Sequence, residues 1–488
     1  MKKKIINYRP IVFGFLAMLL SIVTITESKY NVIYLSILLM FTLFFIFITL
    51  VKRKWSKYLF VGVCMLIGVI STTVFGYYLS ANKVSGDISS IQGRISEVRK
   101  YGYVLDDVIV ANERLGGKVL VKTDEELSVG DIVYTYERIS NIEFDANDGF
   151  ITSLYDDGIY YLLKTTSIAK TKNGKITLSE RIKLSINNLY SKYMREDGKG
   201  IAMGMLLGDT TSMTDELRDG ISNTGLSHIF AVSGLHIGFL TGIVLFINRK
   251  LRIKRMLNML LTLVVLILYN LLCGFSPSMV RATIMSVIVL FSREMGYKMD
   301  GLSSLVLAGI LIATFKPYSV FTISFQMSFL AVFGIIAFSK MIKFKRIPKW
   351  ANDLIALSLG VNFAIFPLVA FWFKKFALLF LPVNFIIMPF MPLIYSITAL
   401  FTVIGLIPGL EQIVIAIDYV LLPIKFVTIA VNSLAINTLN IAFTKTAMLL
   451  CLSAQGVLTR QVMLKTKTKA LITTLFFILG LIFILIQL

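Results

Sequence analysis

The sequence predicts a polytopic α-helical membrane protein that carries a small extracytoplasmic β-barrel domain. Hydrophobic residues make up 56% of the 488 residues and the mean hydropathy is +0.78, which is more than a soluble core needs. Between residues 83 and about 180 the long apolar runs stop, and short runs alternate apolar and polar residues. The net charge of +21 could indicate a nucleic-acid surface, but basic clusters between apolar runs are typical of cytoplasmic loops.

Residues 1–82 are predicted to hold three transmembrane helices, with the N-terminus in the cytoplasm. The first apolar run could be a signal peptide, but no small-residue cleavage site follows it. A second run follows at Asn31 to Leu50. Basic clusters lie at residues 2–9 and 52–57, and both are placed inside. A third span, from Tyr58 to about Ser80, therefore delivers the chain to the outer side.

Residues 83–178 are predicted to form an extracytoplasmic OB-like β-barrel, because five short strand-like runs alternate with Gly, Asp and Asn turns. OB folds can hold single nucleic-acid strands by stacking bases on aromatic side chains over a basic groove. Between residues 83 and 180, however, 12 Lys and Arg stand against 16 Asp and Glu, a net charge of −4. This argues against a strong grip on DNA by the barrel alone, and a spacer or partner-docking role is equally consistent. The five runs are Ile88 to Val98, Tyr103 to Ala111, Lys118 to Lys122, Asp131 to Ser140 and Gly158 to Ala169.

Residues 179–223 are predicted to form amphipathic or interfacial helices. The pattern of Ser179 to Met194 fits a helix in the membrane interface and also a surface helix packed on its own domain. Thr214 can cap a short helix that begins at Asp215. The acidic residues around it lack metal-ligand spacing, and no metal is expected there.

Residues 224–460 are predicted to form the central transmembrane domain, which begins with TGLSHIFAVSGLHIGFLTG at 224–242. As one α-helix, this segment places five small residues on a stripe that lets another backbone come close. His228 and His236 lie beside the stripe, roughly 12 Å apart along the axis, so one metal ion cannot bind both. The five residues are Ser227, Ala231, Gly234, Gly238 and Gly242.

Basic clusters at residues 249–255 and 340–349 both agree with one alternating topology for the spans that follow. The segment from Phe376 to about Val403 carries three prolines, which predict a broken or re-entrant passage. A last transmembrane helix is expected within residues 461–488. The intervening spans are Leu257 to Cys273, Ser276 to Phe291, Leu302 to Phe315, Ser319 to Phe338, Asp353 to Phe373, Ile413 to Asn432 and Ile441 to Leu458.

Six polar residues stand where hydrocarbon would penalise them. For Arg281 a water-filled pathway is favoured over a structural pair, because intramembrane charges usually face a cavity or a partner. For the amides, interhelical hydrogen bonds are favoured. The six residues are Arg281, Gln326, Asn362, Asn384, Asp418 and Asn432.

No phosphate-binding GxxxxGK[ST] loop and no HExxH pattern occurs, so neither an ATPase, a zinc hydrolase nor any cofactor is expected. Ser233 and His236 could meet on a helix, which raises an intramembrane serine hydrolase as a minor alternative. No third group that would orient the imidazole is visible. No catalytic residue is therefore predicted, and the chain is expected not to be an enzyme.

Two stretches, MGMLLGD at 203–209 and TGLSHIFAVSGLHIGFL at 224–240, closely resemble the signature of the ComEC family of competence proteins, which are inner-membrane DNA-uptake channels. The resemblance covers about residues 60–455. Further similar pieces are NDGFITSLYDDGIYYLLK at 147–164, GFSPSMVRATIM at 274–285, PYSVFTISFQMSFLAVFG at 317–334 and LPVNFIIMPFMPL at 381–393.

The resemblance implies a multi-pass protein of the cell membrane that admits single-stranded DNA during natural transformation. Implied partners are a surface DNA receptor, a separate nuclease and a cytoplasmic ATP-driven DNA translocase. Many family members continue into a metallo-β-lactamase-type domain, whereas this chain ends with a hydrophobic helix and lacks those metal ligands. Thr322 stands where an Asp is expected in many relatives, which puts a polar contact there in doubt.

Moving a polyanion through ~30 Å of hydrocarbon requires a lined pathway, because an isolated charge there costs tens of kcal/mol by Born estimates. A small-molecule or lipid-linked-substrate transporter is an alternative of another class. Ala231 and Gly242 are assigned to helix packing. The candidates for the DNA pathway are His228, Ser233, Gly234, His236, Gly238, Arg281, Gln326 and Asn384.

Overall fold

The computed structural model describes residues 10–27, 55–84, 88–171, 174–230, 234–297, 299–344, 346–434, 437–459, 468–469, 471–476 and 479. The predicted second span, Asn31 to Leu50, lies outside these residues, as does most of the predicted last span.

Two long apolar helices, α1 (Pro10–Glu27) and α2 (Trp55–Ala81), pack side by side through small residues. A Cβ added at Gly14 would lie 2.8 Å from the Phe60 ring, and one at Gly68 would lie 2.3 Å from Ser21 Oγ. Because Gly14 faces Phe60 while Ser21 faces Gly68, the two helices run parallel. The first and third of three successive spans cross the membrane in the same direction, so a parallel pair agrees with the predicted order.

The β domain is a closed five-stranded barrel, which confirms the prediction of a small barrel of OB type. Its strands are joined in the order β1-β2-β4-β6-β5, and β5 pairs back with β1 to close it. The β4–β6 pair is parallel, while the other pairs of the barrel are antiparallel. Two short strands extend it. The strands are β1 (Ile88–Arg99), β2 (Gly102–Val110), β3 (Glu113–Arg114), β4 (Lys118–Lys122), β5 (Ile132–Asn141), β6 (Ile159–Lys164) and β7 (Ala169–Thr171).

A short helix, α3 (Gly149–Asp156), lies between β5 and β6, and strand patterning does not predict it. Asp148 caps it, because its carboxylate accepts hydrogen bonds from the backbone N–H groups of Phe150 (2.8 Å) and Ile151 (3.2 Å). A Cβ at Gly149 would lie 2.6 Å from Ile323 in the helical domain. The helix therefore provides one of the contacts between the barrel and the bundle.

An aromatic cluster joins the barrel to the helical domain. The Phe144 ring lies 4.4 Å from that of Tyr318, which in turn lies 4.9 Å from Phe75 of α2. Tyr155 of α3 packs 5.0 Å from Phe144. Such ring pairs contribute about 0.5–1.5 kcal/mol each beyond their burial, so this junction holds the barrel in one place on the bundle.

A buried carboxylate lies at the same junction. Asp156 Oδ1 accepts a hydrogen bond from the Ser319 hydroxyl and lies 3.9 Å from Lys316 Nζ. Burial raises the pKa of Asp156, although the nearby Lys316 charge and the Ser319 hydrogen bond oppose this. The junction therefore contains a group whose charge is only partly compensated.

The helical domain follows the barrel. The described residues contain six helices that are long and apolar enough to cross a membrane, or seven if one bent pair is counted as a span. This confirms a polytopic helical membrane protein. Its helices are α4 (Leu178–Tyr193), α5 (Glu196–Leu207), α6 (Asp215–Thr224), α7 (Gly234–Lys250), α8 (Arg255–Cys273), α9 (Pro277–Glu294), α10 (Gly301–Phe315), α11 (Ile323–Ala337), α12 (Lys349–Trp372), α13 (Phe380–Ile387), α14 (Met391–Gly405), α15 (Ile415–Val420), α16 (Leu422–Asn432) and α17 (Lys445–Leu458).

The bent pair is α13 and α14, which meet at 56° across a short break. Pro389 lies in the break, and Pro392 occupies the first turn of α14, where its missing N–H is not needed. The predicted broken passage is confirmed.

One end of each of the apolar helices α1, α10 and α17 lies beside the barrel domain. Lys445 Nζ, at the start of α17, lies 2.9 Å from Glu27 Oε1 at the end of α1 and 3.1 Å from Asn147 Oδ1 in the barrel domain. Lys316, just after α10, donates to the Asp156 carbonyl oxygen (2.9 Å). The barrel therefore covers one end of the bundle, as the alternating topology requires, while its placement on the extracytoplasmic side stays a prediction.

The buried Asp156 makes the stability of the junction dependent on pH. Because its folded pKa is raised, its stabilising contribution is full below the unfolded pKa near 3.8 and is lost as pH rises through the folded pKa. Wild type should therefore lose unfolding free energy relative to Asp156→Asn as pH rises towards 7, by about 1.4 kcal/mol for each unit of the pKa difference.

The measurement is thermal unfolding in lipid nanodiscs across that pH range, followed by tryptophan fluorescence. Glu113→Gln, which alters an exposed carboxylate of the same barrel, serves as the control. Identical pH profiles for wild type and Asp156→Asn would contradict the assignment.

Candidate functional site in the helical domain

The segment at 224–242 is not one helix, so the single-helix interpretation was wrong. Helix α6 ends at Thr224, and Gly225 follows with a left-handed φ of +77° that ends the helix. A 3₁₀ turn spans Ser227–Ile229, and α7 is described from Gly234 onward. His228 therefore lies in the turn and His236 on the helix. Ala231 and Ser233 lie outside the described residues.

The glycine stripe of α7 contacts protein at only one of its three positions among the described residues. A Cβ at Gly234 would lie 2.9 Å from Arg281 Nη2, whereas Cβ atoms at Gly238 and Gly242 would have no described atom within 4 Å. The helix packing expected at Gly242 is therefore not formed in this part of the chain. Leu235 and Phe246 are exposed near the two glycines, so α7 presents an open face.

Helix α5, which contains most of MGMLLGD, is the buried centre of the helical domain. Its glycines let neighbouring segments approach, because Cβ atoms at Gly200 and Gly204 would lie 3.0 Å from Ser212 O and 2.6 Å from Met213 Cε. Gly208 ends the helix with a left-handed φ of +72°, and Asp209 Oδ1 accepts from the Thr211 N–H (2.9 Å). The glycines and the aspartate of this motif therefore have packing and turn roles.

Helices α4 and α5 pack against protein, as the alternative of a helix packed on its own domain expects, while an interfacial position of the segment 179–223 stays a prediction. Tyr190 of α4 is fully buried, and its hydroxyl is hydrogen-bonded to Thr402 of α14. Helix α6 packs on α16, where Asn223 Nδ2 donates to Asn432 Oδ1 (3.2 Å). The amphipathic pattern of this region thus reflects packing on the helical domain.

Asp418 is positioned by α5. Its Oδ2 accepts from the Arg195 N–H (3.1 Å) at the start of that helix, where a negative charge is stabilised by the helix dipole. A Cβ at Gly198 would lie only 1.7 Å from Asp418 Oδ1, so this contact requires glycine. Asp418 therefore has a structural role.

A chain of polar contacts joins the two family-like stretches. The Tyr269 hydroxyl donates to the Leu206 carbonyl oxygen of α5 (2.7 Å), and the Tyr395 hydroxyl donates to Tyr269 (3.2 Å). The Tyr395 ring lies edge-on to the His236 ring, with centroids 5.1 Å apart. His236 is 2% exposed and Tyr395 is equally buried. Both tyrosines were missed from the sequence, although polar aromatics inside apolar spans could have indicated them.

Arg281 of α9 is buried, with 5% of its surface exposed. Its Nε donates to Ser328 Oγ of α11 (2.9 Å), its Nη1 lies 3.6 Å from Met285 Sδ, and the guanidinium carbon is 5.9 Å from the Phe329 ring centroid. No carboxylate oxygen among the described residues lies within 4.0 Å of it. Arg281 thus places a positive charge beside Gly234 with hydroxyl, sulfur and ring contacts but no described counterion.

The remaining candidates are spread through the domain. Gln326 donates to the Val320 and Phe321 carbonyl oxygens and accepts from Trp372 Nε1, all at 3.2 Å, so it holds α11 to α12. Asn384 of the broken passage is 6% exposed, and its Oδ1 has no partner among the described residues. His228 is exposed, and its Nδ1 lies 3.0 Å from the Gly225 carbonyl oxygen.

Two further residues that the sequence singled out have local structural roles. Thr322 caps α11, because its Oγ1 accepts from the Phe325 N–H (3.2 Å) and donates to the Ser319 carbonyl oxygen (2.7 Å). Asn362 donates to the Ser358 carbonyl oxygen of its own helix (2.9 Å). Both polar groups are thereby satisfied.

The structure brings Gly234 to Arg281 and His236 to Tyr395, and it leaves Gly238 open. Within the described part of the chain, no three His, Cys, Asp or Glu residues are grouped so that they could hold a metal ion. The arrangement offers a buried cation next to a glycine face, which suits contact with an anionic chain.

A family model described as "Competence protein" matches residues 205–486. "ComE operon protein 3" of Bacillus subtilis (strain 168) is 28% identical over 250 residues, which cover 51% of this chain and 31% of that protein. An "Uncharacterized protein" of Aquifex aeolicus (strain VF5) is 27% identical over 203 residues, 41% of this chain and 45% of the relative. The "Uncharacterized protein MG316 homolog" of Mycoplasma pneumoniae (strain ATCC 29342 / M129 / Subtype 1) is 30% identical over 136 residues, which cover 28% of this chain and 34% of that protein. The chain thus spans less than half the length of these relatives, and no solved structure matches it.

Substitutions at Tyr395 should separate the stability that its hydroxyl contributes from the stability that its ring contributes. Tyr395→Phe loses the hydrogen bond to Tyr269 and should cost about 1 kcal/mol of unfolding free energy, whereas Tyr395→Ala also leaves a cavity beside His236 and should cost about 3–5 kcal/mol.

Chemical or thermal unfolding of the purified protein in lipid nanodiscs measures both changes. Tyr419→Phe alters a tyrosine that is 68% exposed and should leave stability unchanged. Equal losses for Tyr395→Phe and Tyr395→Ala would contradict the role given to the ring.

Proposed function

The chain belongs to the competence protein family, and from this premise we propose that it forms a membrane channel that passes single-stranded DNA into the cytoplasm during natural transformation. The family match covers more than half of the chain, and one relative is named for a competence-type operon. The channel itself performs no covalent chemistry. A surface receptor delivers the DNA, a separate nuclease removes the second strand, and a cytoplasmic ATP-driven translocase supplies the energy.

The proposal rests on the burial of Arg281 without a carboxylate partner among the described residues. Removing an ion from water costs several kcal/mol even after relaxation, and a buried arginine is usually paired with a carboxylate. Arg281 has no such partner among the described residues, and Gly234 next to it has no side chain that would cover Nη2. A passing phosphate group supplies the missing negative charge, and guanidinium is well suited to bind it.

The open face of α7 extends the route from Arg281. Gly238 and Gly242 follow Gly234 at successive turns of the helix and add no side chain, so an extended strand can lie close to the backbone. Arg249 and Lys250 at the last turn of α7 provide positive charge at the far end. The route then runs from Arg281, near the barrel end, towards the predicted cytoplasmic side.

The geometry narrows the set of candidate pathway residues. His236 packs against Tyr395, so we assign it to positioning α7 rather than to contact with DNA. Gln326 uses its amide to join α11 and α12. Arg281, Gly234 and Gly238 remain as the core of the route, with Asn384 as a buried polar group of the broken passage.

Arg281→Gln separates a pathway role from a structural one. If the charge has no structural counterion, its loss should leave unfolding free energy unchanged or slightly higher, whereas breaking a buried pair would cost about 3–5 kcal/mol. DNA uptake should fall at least ten-fold, because no cation offsets the phosphate. Arg281→Lys should retain part of the uptake, since it keeps the charge but loses the bidentate geometry.

Uptake is measured as DNase-resistant labelled DNA in a transformable bacterium whose own family member has been deleted and replaced by this gene. Membrane levels are checked for every variant. Normal uptake by Arg281→Gln, or its unfolding before the wild type by several kcal/mol, would contradict the pathway role.

Gly238→Leu tests the open face. An added Cβ meets no described atom within 4 Å, so the protein should insert and fold normally, while uptake of labelled DNA should be lost because the leucine side chain narrows the route.

Gly456→Leu is the matched control, because this helical glycine of α17 also has no described atom within 4 Å of an added Cβ. It should leave uptake unchanged. If Gly238→Leu transforms at the wild-type frequency, the open face of α7 does not line the route.

A further inference from the structure

The barrel carries a groove on its outer surface that the proposed DNA route does not use. It has a volume of about 410 Å³ and lies over strands β1, β2 and β5. Ser90 and Gln92 of β1 stand directly opposite Tyr136 and Tyr134 of β5. Ile109 and Asn112 close the other side.

The two tyrosines form an exposed aromatic surface. Tyr134 is 41% and Tyr136 is 72% exposed, and both are on the outer face because they are two residues apart on one strand. Gln92 Nε2 lies 3.4 Å from the Tyr134 hydroxyl, which limits the freedom of that ring. When a flat ligand stacks on two exposed rings that are already partly fixed, the side chains lose little conformational entropy.

The other lining groups are neutral hydrogen-bonding side chains. Gln92 and Asn112 provide amides that donate and accept, and Ser90 provides a hydroxyl. None of the eight residues that line the groove is charged. This combination of ring faces, amides and hydroxyls matches a ligand that has apolar ring faces and many neutral hydroxyl groups.

Charge argues against a nucleic-acid strand in this groove. Sites that follow a nucleic-acid backbone combine stacking aromatics with a positively charged groove. Arg138 is the nearest cation along β5. Arg94 of β1 and Arg114 of β3 also lie near the groove, but they are paired with the carboxylates of Glu180 and Asp107. The segment 83–180 has a net charge of −4, which leaves +25 on the rest of the chain, so the barrel is the acidic part of a basic protein.

The groove is accessible when the barrel is docked. Contacts with the bundle come from Phe144, from α3, from Tyr160 of β6, whose ring lies 6.2 Å from Phe75, and from two ion pairs. Arg94 Nη1 lies 2.8 Å from Glu180 Oε2 of α4, and Lys100 pairs with Asp215 of α6. None of these residues lines the groove. A polymer outside the membrane can therefore reach it without displacing the barrel.

We propose that the groove formed by Tyr134, Tyr136, Gln92, Ser90, Asn112 and Ile109 is a binding site for a neutral oligosaccharide. Sugar rings stack on the two tyrosines, and their hydroxyl or acetamido groups pair with the amides of Gln92 and Asn112. OB-type barrels hold either oligosaccharides or oligonucleotides, and the neutral lining of this groove favours the former. The site would fix the barrel to a glycan of the cell surface.

The test is binding of fluorescently labelled neutral oligosaccharides, with and without N-acetyl groups, to the full chain in lipid nanodiscs. Glycoside detergents are removed completely, because their head groups would compete. Wild type should bind at least one of them saturably, and Tyr134→Ala with Tyr136→Ala should weaken that binding at least ten-fold. Both rings point outward, so the barrel core is unchanged.

Tyr297→Ala is the matched control, because Tyr297 is also 72% exposed but lies outside the barrel; it should bind like wild type. A labelled twelve-residue oligothymidylate is measured in parallel. The proposal is overturned if no oligosaccharide binds, if the double variant binds normally, or if the double variant loses oligothymidylate binding instead. DNA uptake is scored separately, so failure of this site leaves the channel proposal standing.

Discussion

The close packing of neighbouring segments around α5 is the contact on which the helical domain depends. The glycines of this helix bring the loop after it and Asp418 against its backbone, and its buried side chains join the largest hydrophobic cluster of the domain. In lipid, where association of helices gains little from the hydrophobic effect, such close backbone approach supplies much of the packing energy. The short helix is therefore a fixed reference for the helices that surround it.

Buried polar groups in the helical domain differ in whether their hydrogen-bonding and charge requirements are met. Tyr269 and Tyr395 satisfy each other and a backbone carbonyl, so their burial stabilises one arrangement of α5, α8 and α14. Arg281 keeps a full charge with neutral neighbours only, as far as the described residues show. A satisfied network specifies the fold, whereas an incompletely compensated charge is costly to the fold, which is why we propose a ligand contact for Arg281.

Hydropathy and charge were sufficient to predict most spans, because a bilayer requires long apolar helices and leaves little freedom in their length. The period-2 pattern predicted the barrel strands, and the prolines predicted the bend between α13 and α14. The break after Thr224 was missed because it depends on a left-handed glycine at 225 and a threonine side-chain bond, which a helical period conceals. The burial of α5 was missed because its 12 residues are too few for a span and because Glu196, Asp197 and Lys199 in its first turns indicate a surface helix. The Arg281–Ser328 contact joins residues 47 positions apart, and no local signal predicts such a pair.

The 3₁₀ turn at Pro317–Phe321 connects two parts of the molecule mechanically. On one side it holds the barrel through Tyr318 and Ser319, and on the other it leads directly into α11, which carries Ser328. The turn and the first part of α11 therefore form a short connection of fewer than twelve residues between the barrel contact and the Arg281 guanidinium. A displacement of the barrel relative to the bundle would act first on this turn and then on the serine that binds the arginine.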